Sequence, residues 1–544
     1  MKNTNGWMKW VFGAWFSALV LVSAAWLFGD NIRKLTGASA DALSGGEALG
    51  PSTRSFRSSG IDAKKSLRTF VHDGTYGQER PYAPIAPAAP QASVEPHQLT
   101  TADVDALSTF AIDVDTASYT YARRQLNAGF SLEPSTVRVE EWVNAFRYNL
   151  EPPKNGPWAI HAEGAPSPFT AGRTLLKVAL QGRRFSNAER KPANLVFLVD
   201  TSGSMSGPDR IDLAKTSMHQ LVDALDGRDS VAIATYAGSS MVVLPATNAA
   251  DASAIHRAID RLRTGGSTNM GSGMVLAYRE AAKGVREGVS SRVMVFTDGD
   301  ANIGATSSVG ILEAVKSHVD DGVTLTTIGF GMGDYRDDTL EQLADKGNGQ
   351  SLYIDGAAEL ERVFSTQNLA GLLQVISKDV KVQVEFDTNV VRRYRLLGYE
   401  NRAVRDEDFR NDAVDGGELH AGHAVTALYE LELTGVEGAL GTVSVRGKQP
   451  GNGAAFEVAS VIGLQVLTSN VNDASADFRF ATAVAMAADV LRGNPKAGVT
   501  LREAKALAET AASDWPERRE FIGLLERALS GQSPRPSNPS AYLY

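Results

Sequence analysis

Short apolar runs alternate with amphipathic segments through the middle of the chain. Residues 195–199 and 293–296 are apolar without interruption, which is typical of strands buried on both faces of a parallel sheet. Residues 210–225 instead place apolar side chains at helical spacing, and a similar segment at 357–373 ends the series. The alternation predicts strand–helix units over residues 194–372, forming a doubly wound, mostly parallel α/β sheet.

The segments on either side of this region alternate with a period of two. Residues 379–387 place valine or phenylalanine at every second position, and comparable half-buried strands are predicted within residues 104–193. Neither flank has enough strands to form a sandwich alone. We therefore predict one β-rich domain, built from residues 104–193 and 373–531 and ending in helices, with the α/β domain inserted into it. Residues 532–544 read as a disordered tail.

The N-terminal segment predicts a membrane anchor. Residues 10–28 are an uncharged run of 19 residues preceded by two lysines, close to the length that a spanning helix needs. We interpret residues 1–30 as a transmembrane anchor, with a cleaved signal segment as the alternative. Residues 31–103 are rich in Ala, Ser, Gly and Pro, and they read as a disordered linker. The bulk of the chain is expected outside the cytoplasm, in the periplasm or on the cell surface.

Composition narrows the classes of partner and chemistry. The chain has 544 residues and a net charge of −9, which argues against nucleic acid as a partner. It has no cysteine, which excludes disulfides, thiolate metal sites and a lipidated cysteine anchor. The oligomeric state is not indicated by the sequence.

Polar residues follow both apolar strands at the point where ligands bind in such sheets. Asp200, Ser202 and Ser204 follow the first strand, and Asp298 follows the second. The loop TGGSTNMGSGM adds further oxygens, of which Thr268 is the best placed. Because two neighbouring carboxylates repel each other and all these groups are oxygen donors, we predict a site for Mg²⁺, Mn²⁺ or Ca²⁺. The alternative is that the serines cap the following helix.

These motifs resemble those of the von Willebrand factor type A (VWA) domain, a Rossmann-like fold. DTSGSM, the threonine of GGSTNMGSG and the aspartate of FTDG match its metal-ion-dependent adhesion site (MIDAS). The resemblance implies direct metal ligation by Ser202, Ser204 and Thr268, with Asp200 and Asp298 often acting through water. It also implies a sixth coordination position for an aspartate or glutamate of a partner protein.

The flanks resemble one bacterial subgroup of VWA proteins. TFAIDVDTASYTYARRQLNAG and VRVEEWVNAFRY are similar to its N-terminal module, and YRLLGYENR and GHAVTALYELEL to its C-terminal region. Members often reach the membrane through a lipidated cysteine, so the segment 10–28 would have to serve as the anchor here. The expected function is non-enzymatic, divalent-cation-dependent binding of a protein partner by a membrane-tethered chain.

Two other signals suggest different chemistry. Asp113 and Asp115 in FAIDVDTAS imitate the paired aspartates of a phosphatase nucleophile loop, so the alternative function is a hydrolase that uses the VWA domain for docking. His420 and His423 form an H-x-x-H pattern that is compatible with metal binding.

Overall fold

The computed structural model describes residues 96–531, except residues 113–115, 300–307, 332–336, 367, 415, 451–452, 496 and 513–514. In this part of the chain, no helix is long and apolar enough to cross a membrane. The predicted anchor at residues 1–30, nearly all of the predicted linker 31–103, and the predicted tail lie outside it.

The strands of the described residues are β1 (Thr100–Thr101), β2 (Leu107–Ala111), β3 (Trp158–Pro166), β4 (Thr174–Gly182), β5 (Ala193–Asp200), β6 (Ser230–Tyr236), β7 (Ser240–Asn248), β8 (Ser290–Thr297), β9 (Thr324–Gly329), β10 (Gln350–Tyr353), β11 (Val375–Phe386), β12 (Val391–Leu397), β13 (Leu419–His420), β14 (Ala424–Leu433), β15 (Ala439–Lys448) and β16 (Ala455–Gly463). The α-helices of these residues are α1 (Ala117–Asn127), α2 (Val139–Asn144), α3 (Leu213–Ala224), α4 (Ala252–Asp260), α5 (Met270–Ala282), α6 (Ser308–Asp320), α7 (Asp337–Lys346), α8 (Ala357–Phe364), α9 (Leu369–Leu373), α10 (Ala476–Leu491), α11 (Leu501–Glu509) and α12 (Pro516–Ser530).

The inserted domain, residues 193–373, is a doubly wound sheet in the order β10-β9-β8-β5-β6-β7. All neighbouring strands are parallel except β7, which runs antiparallel to β6. Every residue of β5 is buried, because helices cover both of its faces. Phe197 packs into the core with α3, whereas Leu198 packs on the opposite side with α5. The predicted fold of this domain is confirmed.

The remaining described residues, which we call the body, form two mainly antiparallel sheets. One has the order β1-β12-β14-β4-β3; in the other, β13-β11-β15-β16, strand β2 also pairs with β11. Each sheet therefore combines strands from before and after the inserted domain, as the insertion hypothesis predicts. One boundary is earlier than expected, since β1 lies within the segment 31–103 that was predicted as linker, and pairs with β12.

The C-terminal helices pack against the N-terminal helices of the body. Trp142 and Phe146, from α2 and the residues after it, share a core with α10 and α12. Phe521 lies 5.4 Å from Phe146 and 5.6 Å from Phe480 between ring centroids, in edge-to-face contacts that favour aromatic packing. The body is thus closed by helices from both ends of the described chain.

The segment predicted as one final helix of the inserted domain, 357–373, is two helices. Helix α8 ends at Phe364, and α9 begins at Leu369. Ser365 is the C-cap of α8 and has extended backbone angles, which interrupts the helical hydrogen-bond series. The apolar periodicity of residues 357–373 continues across this break, so the sequence pattern alone could not reveal the break.

The two connections between the inserted domain and the body lie side by side. The backbone amide of Lys191, on the entering segment, donates to the side-chain oxygen of Gln374, on the leaving segment, at 3.1 Å. Residues 421 and 422 bind both segments: the Ala421 amide donates to the Gln374 carbonyl, and the Gly422 amide donates to the Arg183 carbonyl. Strand β11 begins directly after Gln374.

Candidate metal centre

Asp200 is the last residue of strand β5 and lies at the carboxyl edge of the inserted sheet. Its side chain is fully buried, and two hydrogen bonds fix it: Oδ1 accepts from the Ser202 amide at 2.8 Å, and Oδ2 from the Thr297 hydroxyl at 3.2 Å. A short 3-10 turn, Gly203–Met205, follows. It brings the hydroxyls of Ser202 and Ser204 to 2.9 Å from each other.

Asp298 reaches the same edge from the neighbouring strand. Strands β5 and β8 are parallel and paired, with Val199 opposite Phe296, so the residues that follow them emerge together. The Asp298 side chain is buried and lies 3.7 Å from the guanidinium of Arg210. The same guanidinium also donates to the Ser204 carbonyl, so Arg210 connects the two loops.

Thr268 lies two residues before α5, in a loop that contacts the first one. The Gly203 amide donates to the Gly266 carbonyl at 3.1 Å, and the Gly265 amide donates to the Thr201 carbonyl at 2.8 Å. Gly265 and Gly266 both have positive φ angles, of 156° and 88°, which favour glycine there. These bonds hold the Thr268 loop beside the serine turn.

The electrostatics of the edge favour a cation. Burial raises the pKa of Asp200, and the charge of Asp298 raises it further, while hydrogen bonds from Ser202 oppose the change. Burial also raises the pKa of Tyr236 well above its ordinary value, with a further contribution from Asp200. The Arg210 guanidinium offsets part of the charge of Asp298, and a bound divalent ion would offset the remaining cost of holding two buried carboxylates near each other.

The donor set fits a hard cation. It consists of two carboxylates and three hydroxyls, all oxygen ligands of the type preferred by Mg²⁺, Mn²⁺ and Ca²⁺. The alternative that the serines cap the following helix has less support: the N-cap of α3 is Asp212, and Ser202, the N-cap of the 3-10 turn, makes no capping hydrogen bond with its side chain. Such a cap would require the hydroxyl to accept from a backbone amide in the turn.

Sequence reasoning missed two residues that shape the site. Thr297 directs its hydroxyl to Asp200 and accepts a bond from the Gly299 amide, and Arg210 faces Asp298. Thr297 could have been proposed as part of the site, because it directly precedes Asp298 in the sequence. Nothing in the local sequence of Arg210 indicates that it reaches across to the other strand.

The other sequence candidates have different outcomes. Asp113 and Asp115, the basis of the hydrolase alternative, lie outside the described residues. His420 is buried, with its Nε2 3.5 Å from the Arg292 guanidinium. Burial lowers the pKa of His420 well below its ordinary value, and Arg292 contributes to this. A guanidinium beside the ring disfavours a cation there, so this position is explained by packing.

The fold and the residues at the sheet edge place the inserted domain in the VWA class, and the von Willebrand factor type A family model matches residues 194–366. A model described as von Willebrand factor matches residues 90–177, and one described as "Uncharacterized protein YfbK, C-terminal" matches residues 371–530. The chain belongs to the family of the VWA protein YfbK. It is 38% identical over 453 residues to "Uncharacterized protein YfbK" of Escherichia coli (strain K12), a match that covers 78% of each chain. This confirms the resemblance to the bacterial subgroup.

More distant similarities cover between about a third and two thirds of the chain. Inter-alpha-trypsin inhibitor heavy chain H4 of Homo sapiens is 25% identical over 282 residues, covering 50% of this chain and 28% of that one. A solved structure, von Willebrand factor type A from Catenulispora acidiphila, is 18% identical and has a TM-score of 0.41, covering 70% of this chain and 91% of that one. An aerotolerance-related membrane protein from Bacteroides fragilis NCTC 9343 has a TM-score of 0.26 at 24% identity, covering 31% and 94%. Structural similarity at this level is no basis for assigning a function.

Proposed function

We propose that this protein is a non-enzymatic binding protein that grips an acidic residue of a partner protein through a divalent cation. In this proposal, Ser202, Ser204 and Thr268 hold Mg²⁺, with Mn²⁺ or Ca²⁺ as alternatives, and Asp200 and Asp298 balance its charge. The bound ion would supply an open coordination position for an aspartate or glutamate. The rest of the chain would act as a tethered support.

The observation that carries the proposal is the pair of buried carboxylates beside two hydroxyls. Asp200 is completely buried, and the Ser202 and Ser204 hydroxyls lie 2.9 Å apart next to it. Asp200 is already oriented by the Ser202 amide and the Thr297 hydroxyl, so little further ordering is needed when an ion binds. A purely structural turn would not need this concentration of buried oxygen ligands.

Binding of the ion is tested by its effect on thermal stability. Mg²⁺ at a hundredfold excess over its Kd should stabilise the folded protein by about 2.7 kcal/mol, because only the folded state assembles the site. Asp200→Ala should abolish this increase in Tm. Asp209→Ala is the matched control, since its carboxylate is nine positions away and exposed. Equal Mg²⁺-dependent shifts in wild type and Asp200→Ala would contradict the proposal.

The partner is tested by affinity capture from membranes in Mg²⁺ and in EDTA. Proteins retained by wild type in Mg²⁺, and lost both in EDTA and with Asp200→Ala, are the expected class of partner. An identical set of retained proteins under all three conditions would argue against metal-dependent adhesion.

We further propose that residues 10–28 anchor the protein in the membrane, with the VWA domain outside the cytoplasm. A reporter that is active only outside the cytoplasm should work when fused after Gly531. Activity from a cytoplasmic reporter alone would reverse this orientation. Recovery of a mature chain without residues 1–24 would show that the segment is a cleaved signal.

A further inference from the structure

Two histidines lie close together on the surface of the inserted domain. They are on helices, away from the carboxyl edge of the sheet that carries Asp200 and Asp298. His219 lies on α3 and His256 on α4. Their Nδ1 atoms are 2.7 Å apart, and the ring centroids are 4.9 Å apart. The centroid distance is close to the sum of the distance between the two nitrogens and the two ring radii. The two Nδ1 atoms therefore face each other.

Each histidine is oriented by an aspartate from the other helix. The Nε2 of His219 lies 3.1 Å from a carboxylate oxygen of Asp260, and the Nε2 of His256 lies 3.1 Å from one of Asp223. In each helix the histidine and aspartate are four positions apart, in HQLVD and HRAID, so they share one helix face. The crossed pairing shows that α3 and α4 run in opposite directions at this point.

The hydrogen bonds determine which nitrogen carries the proton. An ionised carboxylate only accepts hydrogen bonds, so each Nε2 must be the donor. A neutral ring protonated at Nε2 has a lone pair at Nδ1. Two lone pairs then face each other across 2.7 Å, an arrangement that repels unless a positive species lies between them.

The surroundings resemble the outer shell of a metal site. Metal-binding histidines almost always donate their second ring N–H to a carboxylate or carbonyl, which orients the ring and makes the ligating nitrogen more basic. Both histidines meet this condition here. Their side chains are 30% and 27% exposed, so an ion can reach them from solvent.

We propose that His219 and His256 bind a transition-metal ion such as Zn²⁺ through their Nδ1 atoms. Imidazole nitrogen suits Zn²⁺, Ni²⁺ and Cu²⁺, whereas Mg²⁺ prefers oxygen, so this site is chemically distinct from the adhesion site. No group of three or more His, Asp or Glu among the described residues forms a metal cluster, so the protein supplies two ligands and water completes the coordination. Since Zn–N bonds are about 2.0–2.1 Å long, the two partly exposed rings must tilt apart slightly on binding.

Zn²⁺ titration of the chelator-stripped full-length protein in saturating Mg²⁺ tests the site. We expect one Zn²⁺ per chain by calorimetry and a rise in Tm of a few degrees. The double variant His219→Ala/His256→Ala should lose both signals. His161→Ala is the matched control, because its ring lies on β3 and bonds the Glu151 carbonyl. Asp200→Ala should keep Zn²⁺ binding, which separates this proposal from the adhesion function.

The orienting role of the aspartates has its own readout. Asp223→Ala/Asp260→Ala should weaken Zn²⁺ binding at least about tenfold while leaving one site per chain. A wild-type protein that binds no Zn²⁺, with a shared proton between the two rings instead, would overturn the proposal. Equal Zn²⁺ affinity in wild type and in the double histidine variant would also overturn it.

Discussion

The inserted domain and the body are assembled in opposite ways. The inserted domain takes all its strands from one continuous stretch, and parallel neighbours such as β5 and β6 are joined by a helix. In the body, Val382 on β11 pairs with Phe110 on β2, on the other side of the whole inserted domain. The comparison teaches that the α/β domain can form from local units, whereas the body must wait until both flanks are present.

The two regions also differ in how they hold buried charge. Asp229, in the inserted domain, forms two bonds with the Arg190 guanidinium, at 2.7 and 2.5 Å, and neither side chain is exposed to solvent. Glu140, in the body, is buried beside other carboxylates, and its Oε2 has no hydrogen-bond partner. The charge of Asp229 is compensated by Arg190, whereas the raised pKa of Glu140 favours its neutral form.

The largest expected effect is on folding of the separated parts. A fragment covering residues 184–374 should fold alone, because it contains the complete sheet and both helical layers. A fragment covering residues 373–544 should be poorly soluble, because β11 and β14 would lose β2 and β4 and expose unpaired edges. Circular dichroism and size-exclusion chromatography measure this. A well-folded, monomeric 373–544 fragment would refute the shared architecture of the body.

The next effect concerns Arg190, which lies before the first strand of the inserted domain. Arg190→Ala should destabilise the fragment 184–374 by about 3–5 kcal/mol, because the buried Asp229 would lose its counter-charge. A fragment that begins at residue 194 should show the same loss. Chemical denaturation of the three fragments measures the difference.

Arg228→Ala is the matched control for this prediction. Its guanidinium pairs with Asp226 and donates to the carbonyls of Asn187, Ala188 and Arg190, but the Arg228 and Asp226 side chains are 40% and 43% exposed. Exposed pairs contribute at most about 1 kcal/mol, and its other bonds are also near the surface, so this variant should lose clearly less stability than Arg190→Ala. If both arginine variants lost the same stability, the burial argument would be wrong.

The smallest expected effect is the pH dependence caused by Glu140. Burial, together with nearby Glu141 and Glu400, raises the pKa of Glu140 from 4.5 to about 7. The neutral form is therefore favoured in the folded protein. The stabilisation of the folded protein by neutral Glu140 is fully present below pH 4.5 and is lost as the pH rises through about 7. Above that pH, the effect of Glu140 on stability is constant. The total change is about 3 kcal/mol.

Glu140→Gln tests this contribution, because glutamine has nearly the same shape and stays neutral. Above pH 7 the variant should be more stable than wild type, and the difference should shrink toward pH 4.5. Urea denaturation of the full chain at several pH values provides the measurement. A constant difference between the two proteins at every pH would show that Glu140 is not the titrating group.

The sequence predicts the inserted domain better than the body for the same physical reason. The strand at residues 195–199 is recognisable from local hydrophobicity, and β5 has the predicted place in the fold. The strand types in the body were also predictable from alternation. Their order was not, because pairing such as that between β2 and β11 depends on contacts between residues far apart in sequence.

The candidate sites show the same limit. The common location of Asp200, Ser202, Ser204 and Asp298 at one edge of the sheet could be deduced, since parallel strands end at the same edge. The metal ligands themselves remain a prediction. The contact between His219 and His256 required the packing of α3 against α4, although the repeated His-x-x-x-Asp spacing could have suggested it.

The adjacent entry and exit segments have a mechanical consequence. A load applied to the VWA domain would pass into the body through β4 and β11 together. Strand β4 is paired on both sides, with β14 and β3, and β11 lies between β15 and β2. The load therefore enters two different sheets at strands that are not edges, and much of it would act along their hydrogen-bonded length. Many bonds would then resist it at once, so shear rather than strand-by-strand unzipping would govern how the body yields.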